Sequence, residues 1–433
     1  MPSELIHFNF RKPLTRVIAI LCLLVAAFGS FIVVRWYIGN TLAENFNSGD
    51  NSLEIAEFAS SIAPSDPLTH WRLAVVSQAR LPVDQIGQAI AEFEKAVSLS
   101  PYDYRFWTAL GTAYEQAGET TKSEAALRRA VELAPSYAQP HWYLGNLLLR
   151  NGKYDESFAE LRRAAEANEE LRPQLFTVLW QIYGSDFDSL RKAVGDRAQT
   201  RAAFAHHLLT QRKFDEGMRM WSTLNPAEKK ENKDSGDAIV STLLNALRYY
   251  DALSVWNDLA PDAVSRGMLD KMIDGSFEDS ITYTPDMVFG WQVKNVPQMQ
   301  IGIDPHTAHS GKRSLRLVFQ VRSKLEALSA SQLVPVSPET DYELEFYMKT
   351  ERLESGATPS IVVVNPSDGR ILVASEGAPN GDNDWQRVAL SFKTPPKAEA
   401  VSVRIGRGSC GENNFCPIFG TVWYDNFSIK RRN

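Results

Sequence analysis

The chain has 433 residues, 44% of them hydrophobic and 23% charged, which excludes a disordered or fibrous protein and leaves room for two or three domains with sizeable cores. Its net charge is −6, and because residues 1–36 hold four basic residues against one acid, the remainder carries −9. An acidic body of this kind argues against nucleic acid as the ligand, since neutralising phosphates needs clustered Lys and Arg.

The first predicted element is the run Val17 to Val34, VIAILCLLVAAFGSFIVV, 18 residues without a charge, continued after Arg35 by Trp36, Tyr37 and Ile38. At about 1.5 Å per residue it spans a bilayer core with the help of its flanks. A secretory signal peptide would have a shorter apolar region, about 7 to 15 residues, ending in a small-residue cleavage site. The length here and the closing Arg-Trp-Tyr, an interface-anchor composition, favour an uncleaved transmembrane anchor within residues 1–39. Arg11, Lys12 and Arg16 precede the run, and Arg35 alone follows it until Arg72. The positive-inside rule then predicts a cytoplasmic N-terminus and an exported remainder, which in a bacterial cell means a single-pass inner-membrane protein with its bulk in the periplasm. Cys22, inside the run, reads as a small apolar filler.

Asn40 to Asp50 reads as a short polar linker, and Ser52 to Ala63 as the second helix of a partial repeat. A repeat then becomes explicit. FWTALGTAYEQAG, Phe106 to Gly118, returns 34 residues on as HWYLGNLLLRNG, His141 to Gly152. At that period Pro101 falls on Pro135, Leu110 on Leu144, Gly111 on Gly145, Leu127 on Leu161 and Ala130 on Ala164. Trp107, Leu110 and Tyr114 lie at i, i+3 and i+7 on one helical face, and the prolines stand where one helix must stop and the next begin. The glycines and alanines let two short antiparallel helices approach closely.

The pattern W-x2-L-G-x2-Y, small and apolar residues at Ser123, Leu127 and Ala130, then a proline, resembles the tetratricopeptide repeat. The resemblance is closest over 102–168. Upstream, Pro64, Trp71, Ala89, Phe93 and Ala96 keep the pattern with an insertion near Leu81-Pro82, so the best repeats run over 65–168 within a helical solenoid of 40–268. From 171 to 268 the helical period persists while the landmarks fade, as in FAHHLLTQRKFDEGMRMW and LRYYDALSVWNDLAP, which read as degenerate repeats. NPAEKKENKDSGD, Asn225 to Asp237, is polar enough to read as an exposed turn.

In such a solenoid the positions of each first helix that alternate with its packing residues face a concave groove. By register these are Arg105, Thr108, Thr112 and Glu115 in one repeat and Trp142, Asn146, Leu149 and Arg150 in the next. A tryptophan near arginines is the anchor a peptide-binding groove uses, and packing of Trp142 against an adjoining helix is the competing reading.

At Asp274 the helical period gives way to alternating runs: SLRLVF, YELEFYMKT, SIVVV, RVALSF, AVSVRI and TVWYDNFSI. Short strands between turns predict an all-β sandwich over 274–433. In YELEFYMKT, Tyr342, Leu344, Phe346 and Met348 share one face, the core face, and Glu343, Glu345, Tyr347 and Lys349 the other. The residues GSFED, GW at Gly290-Trp291, HSGKRSLRLVF, PVSPETDYELEFYMKT and the closing GTVWYDNFSI resemble jelly-roll carbohydrate-binding modules with a galactose-binding-like fold.

That resemblance implies a structural calcium linking the first and last strands. Glu278 of GSFED and Asp425 of WYDN would be its acids, with backbone oxygens completing a hard oxygen shell, and paired surface charges are the alternative. It also implies a glycan face. Strand parity nominates Tyr347, with Glu345 and Lys349 beside it, and Trp291 is a further candidate, whereas Trp385 and Trp423 match positions that pack. His306 and His309, in HTAH, make a poor metal signature and read as incidental. Cys410 and Cys416, the one cysteine pair outside the apolar run, predict a disulfide in an exported domain, worth about 2 kcal/mol for so short a loop. A metal there would want more ligands than Glu412 and two asparagines.

There is no Gly-rich phosphate loop, no G-x-S-x-G elbow and no H-E-x-x-H, so the expectation is a non-enzymatic binding protein. The leading reading is a membrane-anchored envelope scaffold whose repeats hold a protein partner and whose sandwich binds glycan, in polysaccharide assembly or export. A pure assembly factor without sugar binding and a glycan-processing enzyme with an unrecognised pair of acids are the alternatives.

Overall fold

The computed structural model describes residues 13–44, 52–80, 86–184, 186–260, 266–279, 288–293, 299–319, 330–408, 410 and 416–432. The basic flank Arg11-Lys12, the linker beyond Glu44, the turn at Leu81-Pro82 and Glu412 lie outside them. The chain divides into two compact units between Val194 and Gly195.

The first unit is helical. Its apolar helix α1 (Pro13–Glu44) is followed by α2 (Ser52–Ile62), α3 (Pro67–Arg80), α4 (Ile86–Leu99), α5 (Tyr104–Gln116), α6 (Thr120–Leu133), α7 (Ala138–Arg150), α8 (Tyr154–Ala167), α9 (Arg172–Tyr183) and α10 (Phe187–Val194). Helix α1 is long and apolar enough to cross a membrane, and its apolar run is exposed on all sides. Asn40 to Glu44, expected as linker, continue this helix, because Gly39 and Ala43 are buried and a side chain at Gly39 would meet the Ala63 Cβ at 2.5 Å.

The repeat is built on one contact made twice. A Cβ at Gly111 would lie 2.6 Å from Leu127 Cγ, and one at Gly145 2.7 Å from Leu161 Cγ. Beside each contact a serine of the second helix donates to the glycine carbonyl, Ser123 to Gly111 at 2.8 Å and Ser157 to Gly145 at 2.7 Å. A side chain at either glycine would overpack a full core, at a cost of about 1–3 kcal/mol. A third landmark ties each hairpin to the turn before it. Trp107 Nε1 donates to the Pro101 carbonyl at 2.9 Å, and the ring nitrogens of His141 and His70 meet the carbonyls of Pro135 at 2.9 Å and Pro64 at 3.0 Å. His70 therefore occupies the slot that the sequence pattern gave to Trp71. Trp71 packs instead near Phe106, ring centroids 6.1 Å apart. The slot keeps its distance from the proline, since His70 follows Pro64 as Trp107 follows Pro101, and the three extra residues lie further on, between α3 and α4, because α3 precedes α5 by 37 positions while Ala89, Phe93 and Ala96 of α4 precede their α6 counterparts by 34.

The second unit begins with α11 (Ala198–Thr210), α12 (Phe214–Ser222), α13 (Pro226–Glu231), α14 (Lys233–Asn245) and α15 (Tyr249–Leu259). The polar segment 225–237 is not a turn but α13 and the start of α14. Asn225 and Glu228 form a capping box around Pro226, and Glu228 and Lys229 reach Arg201 and Asp258 at 2.8 and 2.7 Å. The hairpins α11–α12 and α14–α15 turn as the better repeats do. In all four turns a backbone N–H reaches back to the carbonyl five residues earlier, from Glu119, Lys153, Lys213 and Arg248, and the preceding residue has positive φ. Glycine fills that position at 118 and 152, Arg212 and Leu247 in the degenerate copies.

Among the described residues ten strands follow: β1 (Gln292–Val293), β2 (Met299–Asp304), β3 (Ser314–Phe319), β4 (Ala330–Pro335), β5 (Asp341–Ser355), β6 (Pro359–Val364), β7 (Ile371–Ala374), β8 (Gly381–Lys393), β9 (Ala400–Arg407) and β10 (Ile418–Arg431). They form two antiparallel sheets ordered β1-β4-β9-β6-β7 and β2-β3-β10-β5-β8. One core cluster draws from both, including Leu317, Phe346 and Tyr424 on one side and Val334, Ile361 and Val403 on the other. Residues of β5 alternate as expected, with Tyr342, Leu344, Phe346 and Met348 buried and Glu343, Glu345, Tyr347 and Lys349 half-exposed. Helix α15 is fixed to the sheets. Tyr250 Oη donates to the Val336 carbonyl at 2.7 Å, its N–H donates to Glu399 at 3.1 Å, and Trp256 meets Phe289 edge-on at 5.6 Å.

Candidate functional site

In the repeat unit, the polar positions named for the groove on α5 and α7 are hydrogen-bonded or ion-paired within the unit. Asp103 caps α5 and pairs with Arg105 at 2.6 Å. Burial works against the Asp103 carboxylate, but the Arg105 side-chain and backbone hydrogen bonds outweigh it and hold the carboxyl below its ordinary range. Glu115 of α5 accepts from Arg150 Nε of α7 at 2.7 Å, bridging the two repeats. Thr112 turns back to the Ala109 carbonyl at 2.8 Å. Thr108 is corrected as a groove residue: it is 4% exposed and donates to the Tyr104 carbonyl at 2.8 Å, because it lies on the buried side with Phe106 and Leu110. What remains is a stripe on α7. Trp142, Asn146 and Leu149, at i, i+4 and i+7, are half-exposed, with Asn146 Nδ2 donating to the Trp142 carbonyl at 2.8 Å.

In the second unit, the outward face of β5 carries an aromatic cluster. Tyr347 stands opposite Arg387 on β8 and Asp425 on β10. His309, from the turn between β2 and β3, lies flat on the Tyr347 ring at 3.6 Å between centroids, and Trp385 meets His309 edge-on at 5.8 Å. The turn is fastened from below. Asp425 Oδ2 accepts from the N–H groups of His309 and Ser310 at 2.8 and 3.2 Å, and Glu278 Oε1 from those of Lys312 and Arg313 at 2.8 and 3.1 Å. Asn426, at φ 53° in a bulge of β10, presents Nδ2 to His309 Nδ1 at 2.9 Å. Around the rings, Glu345 pairs with Arg387 at 2.7 Å and Lys349 with Asp384 at 2.8 Å. Arg387 holds the Glu345 carboxyl below its usual range.

Three expectations change here. Trp291 is 4% exposed and packs on Phe277 and Phe427 in the core, so it presents no face to a sugar. Tyr347 points outward as parity predicted, yet the ring that covers it is His309, which sequence reading set aside as incidental. Trp385 is half-exposed beside His309 and belongs to this patch, whereas Trp423 is buried, with Nε1 on Asp304 at 2.7 Å. The signal for His309 was available only as its place in HSGKRS next to WYDN, residues that meet in the fold. The two carboxylates named for calcium are engaged by the protein itself as placed. Glu278 and Asp425 both accept from backbone N–H donors. Burial raises the Asp425 carboxyl above its ordinary value, which those N–H donors only partly offset. Cys410 and Cys416 are disulfide-bonded, with Cα atoms 5.1 Å apart, and Arg407 donates to the Cys416 carbonyl at 2.6 Å.

Known proteins resemble the two parts separately. The tetratricopeptide repeat family matches residues 79–138 and 108–172, so the chain contains tetratricopeptide repeats, a protein-interaction architecture. The E3 ubiquitin-protein ligase CHIP of Arabidopsis thaliana is 27% identical over 100 residues, 23% of this chain and 36% of its own length. The curated relatives are covered over 6% to 36% of their lengths. Among solved structures, YrrB, a TPR protein with an unusual peptide-binding site, is 16% identical over 49% of this chain and 95% of its own, at a TM-score of 0.26. A CBM4 module is 14% identical over 37% of this chain and 99% of its own, at a TM-score of 0.28.

Proposed function

We propose that the chain is a non-enzymatic, membrane-anchored scaffold of the bacterial envelope, with α1 crossing the inner membrane, the bulk in the periplasm and the repeats holding a protein partner. The observation that carries the scaffold is the α7 stripe of Trp142, Asn146 and Leu149. It is left half-exposed in a groove whose charged residues pair with each other, so it offers an apolar anchor with an amide beside it. Polysaccharide assembly or export is the pathway this reading suggests, through a jelly-roll domain that binds glycan at His309, Tyr347 and Trp385. To test the groove, a photo-crosslinking amino acid is placed at 142 in the full chain in cells, and another at the exposed Tyr154 of α8. One dominant protein adduct from position 142, absent from 154, is expected. Equal labelling from both positions would overturn it.

A second reading, an assembly factor without sugar binding, draws on the same patch. The Tyr347 ring is covered by His309, and the polar neighbours Glu345 and Lys349 are already paired. Glycan-array binding of the full chain in detergent, beside a His309→Ala, Trp385→Ala variant, separates the two. Binding lost in the variant supports glycan recognition, and silence from folded protein supports the assembly factor.

A further inference from the structure

The apolar helix does not end at a linker. The same helix α1 that carries Val17 to Val34 runs on to Glu44 and, through Gly39 and Ala43, supplies the first helix of the first hairpin, with α2 as the second. As in the better repeats, a glycine of the first helix lets the second approach closely, here against alanine rather than leucine. The Gly39 backbone sits against Ala63 and Ala59, and Asn40 Nδ2 donates to Asp66 Oδ2 at 2.9 Å. Because α2 runs antiparallel to α1, its C-terminal end and the turn Ala63-Pro64-Ser65 return to the level of Arg35, where the apolar run stops. An 18-residue run rises about 27 Å, close to a bilayer's hydrocarbon thickness, so with α1 in the membrane that turn lies at the headgroup layer.

A cleft of about 320 Å³ opens at that level between α1 and the turn, lined by Ile32, Val33, Arg35, Trp36, Ile62 and Ser65 among others. Its chemistry is graded along the helix. Ile32 and Val33, exposed by 50% and 63%, line the end toward the apolar run, and the Arg35 guanidinium and Ser65 line the end toward the hairpin. Among the described residues the guanidinium meets the Ser61 carbonyl at 3.5 Å and the Phe31 ring, and no carboxylate. Trp36 and Tyr37, 46% and 65% exposed, stand at the same height, the composition of a membrane interface.

We propose that this cleft is a binding site for an anionic phospholipid of the outward-facing leaflet, its phosphate on Arg35 and its upper acyl chain against Ile32, Val33 and Ile62. The proposal rests on the membrane reading of α1 and adds to it a lipid class and a residue. The lipid would fill the wedge between membrane helix and first hairpin and so fix the tilt of the repeats on the membrane.

The test is native mass spectrometry of the full chain released from nanodiscs of phosphatidylglycerol and phosphatidylcholine mixed equally, beside Arg35→Gln and Arg35→Lys. Retained phosphatidylglycerol adducts in excess of phosphatidylcholine are expected, falling several-fold in Arg35→Gln and recovering in part in Arg35→Lys. Inorganic phosphate added before release leaves the adducts in place if the acyl contacts matter, and removes them if the site is only an anion site, which would overturn the proposal. Equal adducts of both lipids, or no change in Arg35→Gln, would also overturn it. Failure of the chain to enter nanodiscs at all is a different result and would refute the membrane anchor itself.

Discussion

Four hairpin turns in this protein have the same backbone and different residues, and the difference has a calculable effect. Gly118 and Gly152 sit at φ 77° and 73°, Arg212 and Leu247 at 60° and 61°. An L-residue in the left-handed region costs about 1–2 kcal/mol, and glycine loses roughly 0.5–1 kcal/mol more conformational freedom on folding. Leu247→Gly and Arg212→Gly are therefore each expected to stabilise the second unit by about 0.5–1 kcal/mol, since Leu247 is 44% exposed and surrenders little packing. The reverse changes, Gly118→Ala and Gly152→Ala, should cost the first unit about 1 kcal/mol each, because a Cβ at either position meets nothing within 4 Å and the effect is purely backbone. Scanning calorimetry of the full chain reads both, at about 2–4 °C per kcal/mol for units of this size. A second-unit midpoint that falls in Leu247→Gly, together with no change in Gly152→Ala, would refute the claim that these turns share one strained geometry.

The remaining predictions follow from single contacts. Tyr250→Phe leaves the Val336 carbonyl without its donor and should lower the second-unit midpoint by an amount equivalent to about 1 kcal/mol, and an unchanged midpoint would mean that α15 is not fastened to the sheets there. His206 and His207 on α11 have ring pKa values depressed by burial, so the folded unit takes up fewer protons than the unfolded chain. Their contribution is present above the ordinary histidine pKa of about 6.5 and is lost as pH falls through it, so the melting point should drop between pH 7.5 and 5.5, and less steeply in a His206→Gln, His207→Gln variant. A chelator such as EDTA should leave the second-unit midpoint unchanged, because Glu278 and Asp425 are satisfied by backbone N–H groups. A fall reversed by calcium would show that those carboxylates turn to a cation in solution.

What could be read from the sequence was whatever repeats with a fixed period. Gly111 and Gly145 announced their contacts with Leu127 and Leu161 because helix pairing imposes a 34-residue register, and Tyr347 announced its outward direction because a strand alternates. Failures began where register is lost. A histidine at 70 fills the slot that tryptophan fills at 107, the capping box of α13 was hidden in a charge-rich stretch, and β1, β2, β4 and β7 were too short or too mixed in composition to stand out. Trp291 lies outside any strand, so no parity rule said that it faced the core. His309 is the sharper case. Its position over Tyr347 is set by Asp425 and Glu278 gripping the turn from two distant parts of the chain, and a contact of that kind has no local signature.

The same distinction bears on what the repeat groove recognises. Its charged positions, Arg105 with Asp103 and Glu115 with Arg150, are paired within the protein, so a ligand that met them with its own charges would first have to break an existing pair. Such exposed pairs are weak, about 0–1 kcal/mol each, and contribute more to steering than to affinity. If the groove holds a partner segment, as proposed, selectivity would fall to the half-exposed Trp142 and Leu149, which carry no charge to unpair and would gain by being covered. On that proposal the expected partner segment has one or two large apolar side chains and an amide-bonding group near Asn146, and an acidic or basic tail is not expected to bind.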